Sequence, residues 1–481
     1  MADFMSRQIE RFIVDYLKEI EVGDAAVFAG AGFSAPAGFV DWRGLLRELA
    51  NELELDVDLE TDLVSLAQFH VNHSGNNRNR LNQALIDALS ADTPPTDNHN
   101  VLARLPITTW WTTNYDRLIE RSLSDVGKIV DTKSDVKQLA NTRARRDAIV
   151  YKMHGDIERP NEAVVTRDDY ERYDRDRGAF TNALAGDLVS KTFLFLGFSF
   201  TDPNLDQVLS RVRITFSSNQ RRHYAIFKNR EQLEGESDAH FAHAKVRQLL
   251  VVEDLKRFNI SAVLVDNYRD ITKILTEIER RYRRATVFVS ASAADHAPWG
   301  EEQVTQFMRA LGKRLAADGR RISTGLGWGV GNALFTGAAE QALTKPVRHI
   351  EDVITARPFP QAIANADDRA RTWEAFRRDL IGRAGIAVFL FGNKEDGGET
   401  VLADGMTREY EIAKELGLTV LPIGATGSCA ARLAESALAS PDEYLSQLEG
   451  SAREALMKLA LPTQELLPLV DGIAALVGRV K

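Results

Sequence analysis

The stretch AVFAGAGFSAPAGFVDWRGLL, Ala26 to Leu46, decides the fold. An apolar run, Ala25 to Ala29, meets Gly30-Ala31-Gly32, then Ser34, Gly38 and Asp41-Trp42-Arg43. One reading is a nucleotide cradle. Glycines let the backbone approach a diphosphate, and the N-terminus of the following helix favours negative charge. The other reading is a tight turn between a strand and a helix. Both readings require a buried strand that gives way at once to a helix.

Working outward, the same alternation recurs. Short apolar runs continue with ITTWWTT, DAIVYKM, TFLFLGF, HYAIF and SAVLV. A second series is ATVFVSA, RISTGLG, AGIAVFLFG and LTVLPIG. Continuous runs of this length, bounded by Gly and polar residues, fit strands covered on both faces. The stretches between them have helical spacing; in FTDPNLDQVLSRV, Asp202 fits an N-cap and Pro203 the first helical position. The chain is expected to be α/β, with two Rossmann-like domains built on parallel sheets. A charged helix from Asp270 to Arg284 precedes a fresh strand at Ala285. The join is therefore placed at 280 to 285, giving domains 1–283 and 284–481.

Bulk composition agrees. A chain of 481 residues exceeds one ordinary domain. Its 44% hydrophobic and 27% charged content is that of a soluble globular protein. A net charge of −9 argues against nucleic-acid coating. Cys429 is the single cysteine, so no internal disulfide or cysteine-rich zinc site can form. The N-terminal stretch reads as an amphipathic helix without a signal-peptide core, and no apolar run reaches the ~20 residues of a membrane span. A cytoplasmic protein that binds neither membrane nor nucleic acid is expected. His70/His73 and His240/His243 have a spacing that could place two ligands on one helix face. Neither pair has an evident third ligand, and both are read as solvated faces, so no metal is expected.

In open α/β sheets, ligands bind beyond the carboxyl ends of the strands. Four clusters stand there in the first half: Gly30, Ala31, Gly32, Ser34 and Asp41; Asn114 and Asp116 in TTNYD; His154 in KMHGD; and Gly197, Ser199 and Asp202 in GFSFTDPN. In this order and spacing they resemble the NAD-binding fold of the sirtuins over most of residues 10–270. Trp42 stands where that family has Phe, and Thr113 where it has Gln. The four zinc-binding cysteines of the protein deacetylases are missing, and GFSFTDPN is closer to bacterial sirtuin-like immune effectors that hydrolyse NAD. The resemblance therefore implies NAD+ as substrate, without zinc or another cofactor. It implies Asn114 and His154 as catalytic residues, with His154 as general base, and the remaining residues as NAD contacts. The products would be nicotinamide and ADP-ribose.

The second half repeats the strand-end logic. Ser290 ends one strand; Gly325 and Gly327 enter a helix in STGLGWGVGNALFTGA; Lys394 follows AGIAVFLFGN; Gly405 and Glu409 open a helix in DGMTREYE. Together these resemble the SLOG family of nucleotide-sensing domains and phosphoribohydrolases. FLFGNKEDGGETVLADGMTREYE departs from the hydrolases' Pro-Gly-Gly-x-Gly-Thr-x-x-Glu, so ligand sensing is favoured over hydrolysis. A sirtuin-like domain followed by a SLOG domain resembles the effectors of the Thoeris anti-phage system. That resemblance implies a cyclic ADP-ribose isomer, made by a TIR-domain protein, as the signal that releases NAD hydrolysis and aborts infection. It implies Arg377 and Lys394 on the signal's phosphates, Glu409 on its ribose, and assembly as a homotetramer or filament through the sirtuin-like domain. The competing expectations are a sirtuin-type deacylase or ADP-ribosyltransferase, and a non-catalytic nucleotide-binding switch.

Overall fold

Strand β1 (Ala25–Ala29) is buried at every residue. The helix Arg7–Val22 packs on it through Ile9, Phe12, Ile13, Tyr16 and Ile20, whose spacing makes one apolar face. The Tyr16 hydroxyl donates to the Ala26 carbonyl at 2.9 Å and ties this helix to the strand. In the computed structural model the described residues are 6–480, apart from 90–91, 199, 201, 217–219, 345–348, 361, 442–444 and 446. They form two units, Met1–Glu279 and Arg280–Lys481.

The first unit adds β2 (Thr109–Thr112), β3 (Val130–Lys133), β4 (Ala148–Lys152), β5 (Thr192–Leu196), β6 (His223–Lys228) and β7 (Ile260–Val265). They make one sheet in the order β3-β4-β2-β1-β5-β6-β7. All of its pairings are parallel. The chain runs from β1 toward β4 on one side and returns to β5 on the other. The reversal flanks β1, where doubly wound sheets open a crevice for ligands.

The second unit carries β8 (Thr286–Ser292), β9 (Arg321–Thr324), β10 (Ile354–Ala356), β11 (Ile386–Phe391) and β14 (Thr419–Pro422) in a parallel sheet, β10-β9-β8-β11-β14. Between β11 and β14 lies an antiparallel hairpin, β12 (Asn393–Asp396) with β13 (Glu399–Leu402). Apolar clusters cover both faces of this sheet. One centres on Phe307, Leu334 and Val388, the other on Ile381, Phe389 and Ile412. Both units are thus α/β with parallel Rossmann-like sheets. Four strands go beyond the sequence reading: β3 and β10, each at the edge of a parallel sheet, and the hairpin strands β12 and β13.

The glycines of the opening stretch now have a physical cause. Gly30 N donates to the Leu196 carbonyl at 2.9 Å and Gly32 N to the Gly197 carbonyl at 3.0 Å. The loops after β1 and β5 touch through backbone. A Cβ on Gly197 would lie 2.0 Å from Phe33 N, and its φ is +63°. The glycines are demanded by this contact before any ligand is considered. Gly197→Ala is expected to lose ~1–2 kcal/mol from the left-handed backbone alone, with the overlap adding to it. A thermal melt several degrees below wild type is the expected result; an unchanged melt contradicts the contact.

Candidate functional site

At the carboxyl ends of β1, β2, β4 and β5 lies a cavity of about 500 Å³. Ala31, Gly32, Ser34, Asp41, Asn114, Asp116, His154, Gly197 and Asp202 all line it. Gly30 stands directly behind, with its carbonyl held by Asn114. Ser199 lies outside the described residues. Trp42, Tyr115, Tyr170 and Phe198 complete the walls, so the cavity is part aromatic and part polar.

Asn114 follows the end of β2 in a turn fixed by Thr112, whose hydroxyl donates to the Ala29 carbonyl and accepts from Asn114 N, both at 2.9 Å. The Asn114 amide then donates to the Gly30 carbonyl at 3.0 Å and to Ser34 Oγ at 3.1 Å. Both amide hydrogens are committed, so the side chain offers Oδ1, an acceptor, to any ligand. Asp116 accepts from Leu118 N at 3.0 Å and starts the helix Leu118–Asp125. Asp41 caps Trp42–Glu52 through Gly44 N at 2.7 Å. Arg43 also lines the cavity, and its guanidinium donates to the Val57 and Glu60 carbonyls.

His154 follows β4 and is nearly buried. Its Nε2 lies 3.2 Å from Asp202 Oδ2. Asp202 is the N-cap that the Asp-Pro spacing predicts: Oδ1 accepts from Asn204 N at 3.0 Å and Leu205 N at 3.1 Å. Its Oδ2 also accepts from the Tyr170 hydroxyl at 3.3 Å. Tyr170 and Tyr173 meet the imidazole edge-on, with centroids at 5.6 and 6.3 Å. Burial alone would push the Asp202 carboxyl up. The nearby His154, the Leu205 N–H and the Tyr170 hydroxyl outweigh it and hold the carboxyl below its usual range. The sequence reading set Asp202 among NAD contacts; the structure also makes it the partner of His154, across 48 residues of chain that no spacing rule spans.

A depressed carboxylate stabilises the fold above its unfolded pKa of ~4 and loses that contribution as pH falls through its lower folded value. Melting temperatures of wild type and Asp202→Asn should differ at pH 7, and the gap should shrink as pH falls below ~4. A gap that stays constant across that range contradicts the pairing.

In the second unit, Ser290 lies within β8, two residues before its end rather than at the end as the sequence suggests, and donates to Glu409 Oε2 at 2.6 Å. Arg377 Nε lies 3.6 Å from Glu409 Oε1. Its guanidinium also sits over the rings of Phe359 at 5.1 Å and Trp373 at 5.8 Å. Gly405 faces Arg377, whose Nη2 would be 3.0 Å from an added Cβ, and Gly325 faces Phe359. Gly327 abuts the Ala291 carbonyl, where a Cβ would lie 1.6 Å away. Burial pushes the Glu409 carboxyl up, against Ser290 and Arg377. Lys394, on β12, pairs with Asp404 at 2.5 Å, one residue before Gly405. The structure thus gathers Ser290, Gly325, Arg377, Gly405 and Glu409, with Lys394 joined through Asp404. Phe359 and Trp373, which flank Arg377, were missed by sequence reasoning.

Two further corrections concern side chains off these sites. His70 is buried, not solvated: its Nε2 is 2.6 Å from Glu52 Oε2. His73, His240 and His243 are exposed. Among the described residues no group of three His, Cys, Asp or Glu could hold a metal ion, and no helix is long and apolar enough to cross a membrane. Lys152 was also missed. It is fully buried behind the first cavity, and its only sequence signal is a lysine inside the apolar run DAIVYKM.

The fold and the two sites define a class: a sirtuin-like unit followed by a second Rossmann-like unit. Residues 108–248 match the SIR2-like domain, and residues 270–480 match the Sir2- and TIR-associating SLOG family. Relatives described as NAD(+) hydrolase ThsA match along nearly the full length. The Acinetobacter baumannii protein is 46% identical, covering 96% of this chain and 98% of its own. The Bacillus cereus protein is 47% identical over 88% of each chain. The Enterococcus faecium protein is 42% identical, covering 97% and 98%. The chain belongs to the ThsA family of NAD(+) hydrolases.

Proposed function

We propose that the first unit cleaves NAD+ to nicotinamide and ADP-ribose in the cavity that Asn114 and His154 share. We also propose that a cyclic ADP-ribose isomer made by a TIR-domain protein controls this activity from the second unit, in Thoeris anti-phage defence. The observation that carries the reading is the meeting of Asn114, His154 and Asp202 at one cavity in a chain whose full-length relatives are described as NAD(+) hydrolases.

The chemistry suits these groups. Nicotinamide leaves the cationic pyridinium as a neutral molecule, and the sugar passes through an oxocarbenium-like state. Water adds at C1 of the ribose. His154 takes the water's proton, and the imidazolium so formed is stabilised by the Asp202 carboxylate beside it. Asn114 Oδ1 accepts from a ribose hydroxyl or from that water. No zinc or other cofactor enters this scheme. In the second unit Arg377 meets the signal's phosphates with fork geometry, Lys394 adds a second cation, and Ser290 and Glu409 face its ribose hydroxyls.

Assembly as a homotetramer or filament through the first unit belongs to the same reading. Its support is the helix Asp238–Leu255, where Val246, Leu249 and Leu250 are each more than half exposed. Chromatography of the products after incubation of the purified chain with NAD+ and a cyclic ADP-ribose isomer tests the reaction. Nicotinamide and free ADP-ribose in equal amounts are expected. Nicotinamide released only with deacylation of an acetyl-lysine peptide, or with ADP-ribose attached to protein, would overturn it.

A further inference from the structure

Lys152 is the last residue of β4, beside Thr112 of β2, and its side chain has no exposed surface. Its ammonium donates to the carbonyls of Tyr115, at 3.1 Å, and Asp116. It pairs with Glu120 Oε1 at 3.2 Å and Asp156 Oδ2 at 3.0 Å. These partners come from three segments: the loop after β2 that carries Asn114, the first turn of Leu118–Asp125, and the turn that follows His154-Gly155. Ile157 N donates to the same Tyr115 carbonyl at 3.0 Å. Asp156 in turn accepts from Glu158 N at 3.0 Å and has Arg117 Nε at 3.9 Å.

A buried ammonium is costly to desolvate, and well-packed apolar side chains often replace buried ion pairs without loss of stability. Stability alone therefore gives a weak reason for a lysine here. Burial would push its pKa down, yet Glu120, Asp156 and Asp116 raise it above the usual lysine range, so the ammonium stays charged. What the charge accomplishes is geometric. It grips the residues next to Asn114 on one side and the residue two beyond His154 on the other.

We propose that Lys152 is a positioning residue for NAD+ cleavage, its ammonium clamping the Asn114 loop to the His154 turn and so fixing the two groups across the cavity. This rests on the reading that Asn114 and His154 act on NAD+. Misplacement of a catalytic group by about 1 Å through a substitution away from the chemistry costs on the order of 100-fold.

The test uses the purified full chain. Lys152→Met, of similar length and uncharged, should lower kcat for nicotinamide release about 100-fold. KM, and Kd for a non-hydrolysable carba-analogue of NAD+, should stay close to wild type. A lower melting temperature with wild-type kcat per folded molecule would overturn the proposal and leave a structural lysine. Adding Glu120→Gln removes one unpaired counter-charge without replacing the clamp, so the double variant should stay slow. Recovery of kcat in it would assign Lys152 to charge balance alone. If Lys152→Met does not fold, Asp156→Asn releases only the His154 side. It should lower kcat about 10-fold with unchanged analogue binding, and wild-type kcat in it would overturn the clamp. Full activity in both Asn114→Ala and His154→Ala would instead overturn the catalytic reading itself, whatever Lys152→Met does.

Discussion

His154→Ala lowers nicotinamide release at saturating NAD+ by about 100- to 10,000-fold, the usual range for loss of a general acid or base. The expectation follows from position. The imidazole lines the cavity with Asn114 and is held by Asp202 at 3.2 Å, with Tyr170 and Tyr173 edge-on to its ring. The carboxylates on the same wall, Asp41, Asp116 and Asp202, each accept main-chain N–H bonds through Oδ1. Asp202 is fully engaged by His154, Tyr170 and two main-chain N–H groups. Asp116 Oδ1 accepts from Leu118 N, the first residue of the helix Leu118–Asp125. The substitution also removes the ring contacts with Tyr170 and Tyr173, so turnover is compared per folded molecule. Analogue binding within a few-fold of wild type, with turnover lost, is the expected split. An active His154→Ala protein would remove the general-base assignment, and loss of binding together with turnover would make His154 a substrate contact.

If the second unit reads a phosphate-bearing signal as proposed, Arg377→Ala should shift the activation curve while leaving the chemistry alone. Hydrogen bonds to charged groups contribute about 1.5–3 kcal/mol each, so losing the fork to a phosphate should raise the activating concentration about 10- to 150-fold. Nicotinamide release at saturating signal should match wild type, because a ligand biases the active state only through its differential affinity. Arg377→Lys keeps the charge but loses the bidentate geometry and the stacking on Phe359 and Trp373, so it should fall between the two. Measuring nicotinamide release against signal concentration for the three proteins checks this. An unchanged curve in Arg377→Ala would move the signal away from Ser290, Arg377 and Glu409.

Much of this arrangement was legible in the sequence, for physical reasons. β1 and β11 lie inside their sheets, and burial on both faces makes them continuous apolar runs. The Asp202-Pro203 signal worked because capping chemistry is local. β3 escaped because VDTK carries one large apolar residue. Its Asp131 and Lys133 are buried as their own ion pair at 2.8 Å, so the strand is polar and still covered. β10 is three residues at a sheet edge. The β12–β13 hairpin turns at Gly397 and Gly398, both with positive φ, as a two-residue turn prefers. Its strands NKED and ETVL lack the apolar alternation that marks a hairpin.

At the sites, residue types were legible and their partners were not. His154 and Asp202, or Ser290 and Glu409, meet only once the sheet is assembled. The opening glycines show the same limit. Their sequence fits a cradle and a turn equally well, and the structure shows the backbone contact with Gly197 that demands them. His70 shows it in reverse: its helical spacing with His73 suggested a solvated face, and the fold buries it against another helix, where it meets Glu52.

The central claim is that one chain couples a signal site in its second unit to NAD+ cleavage in its first. The most direct test is nicotinamide release by the purified full chain with and without a cyclic ADP-ribose isomer produced by a TIR-domain enzyme. Release that rises steeply when the isomer is added is the expected result. Release at the same rate with and without it would contradict the coupling, and no release in either case would leave a nucleotide-binding switch in place of an enzyme.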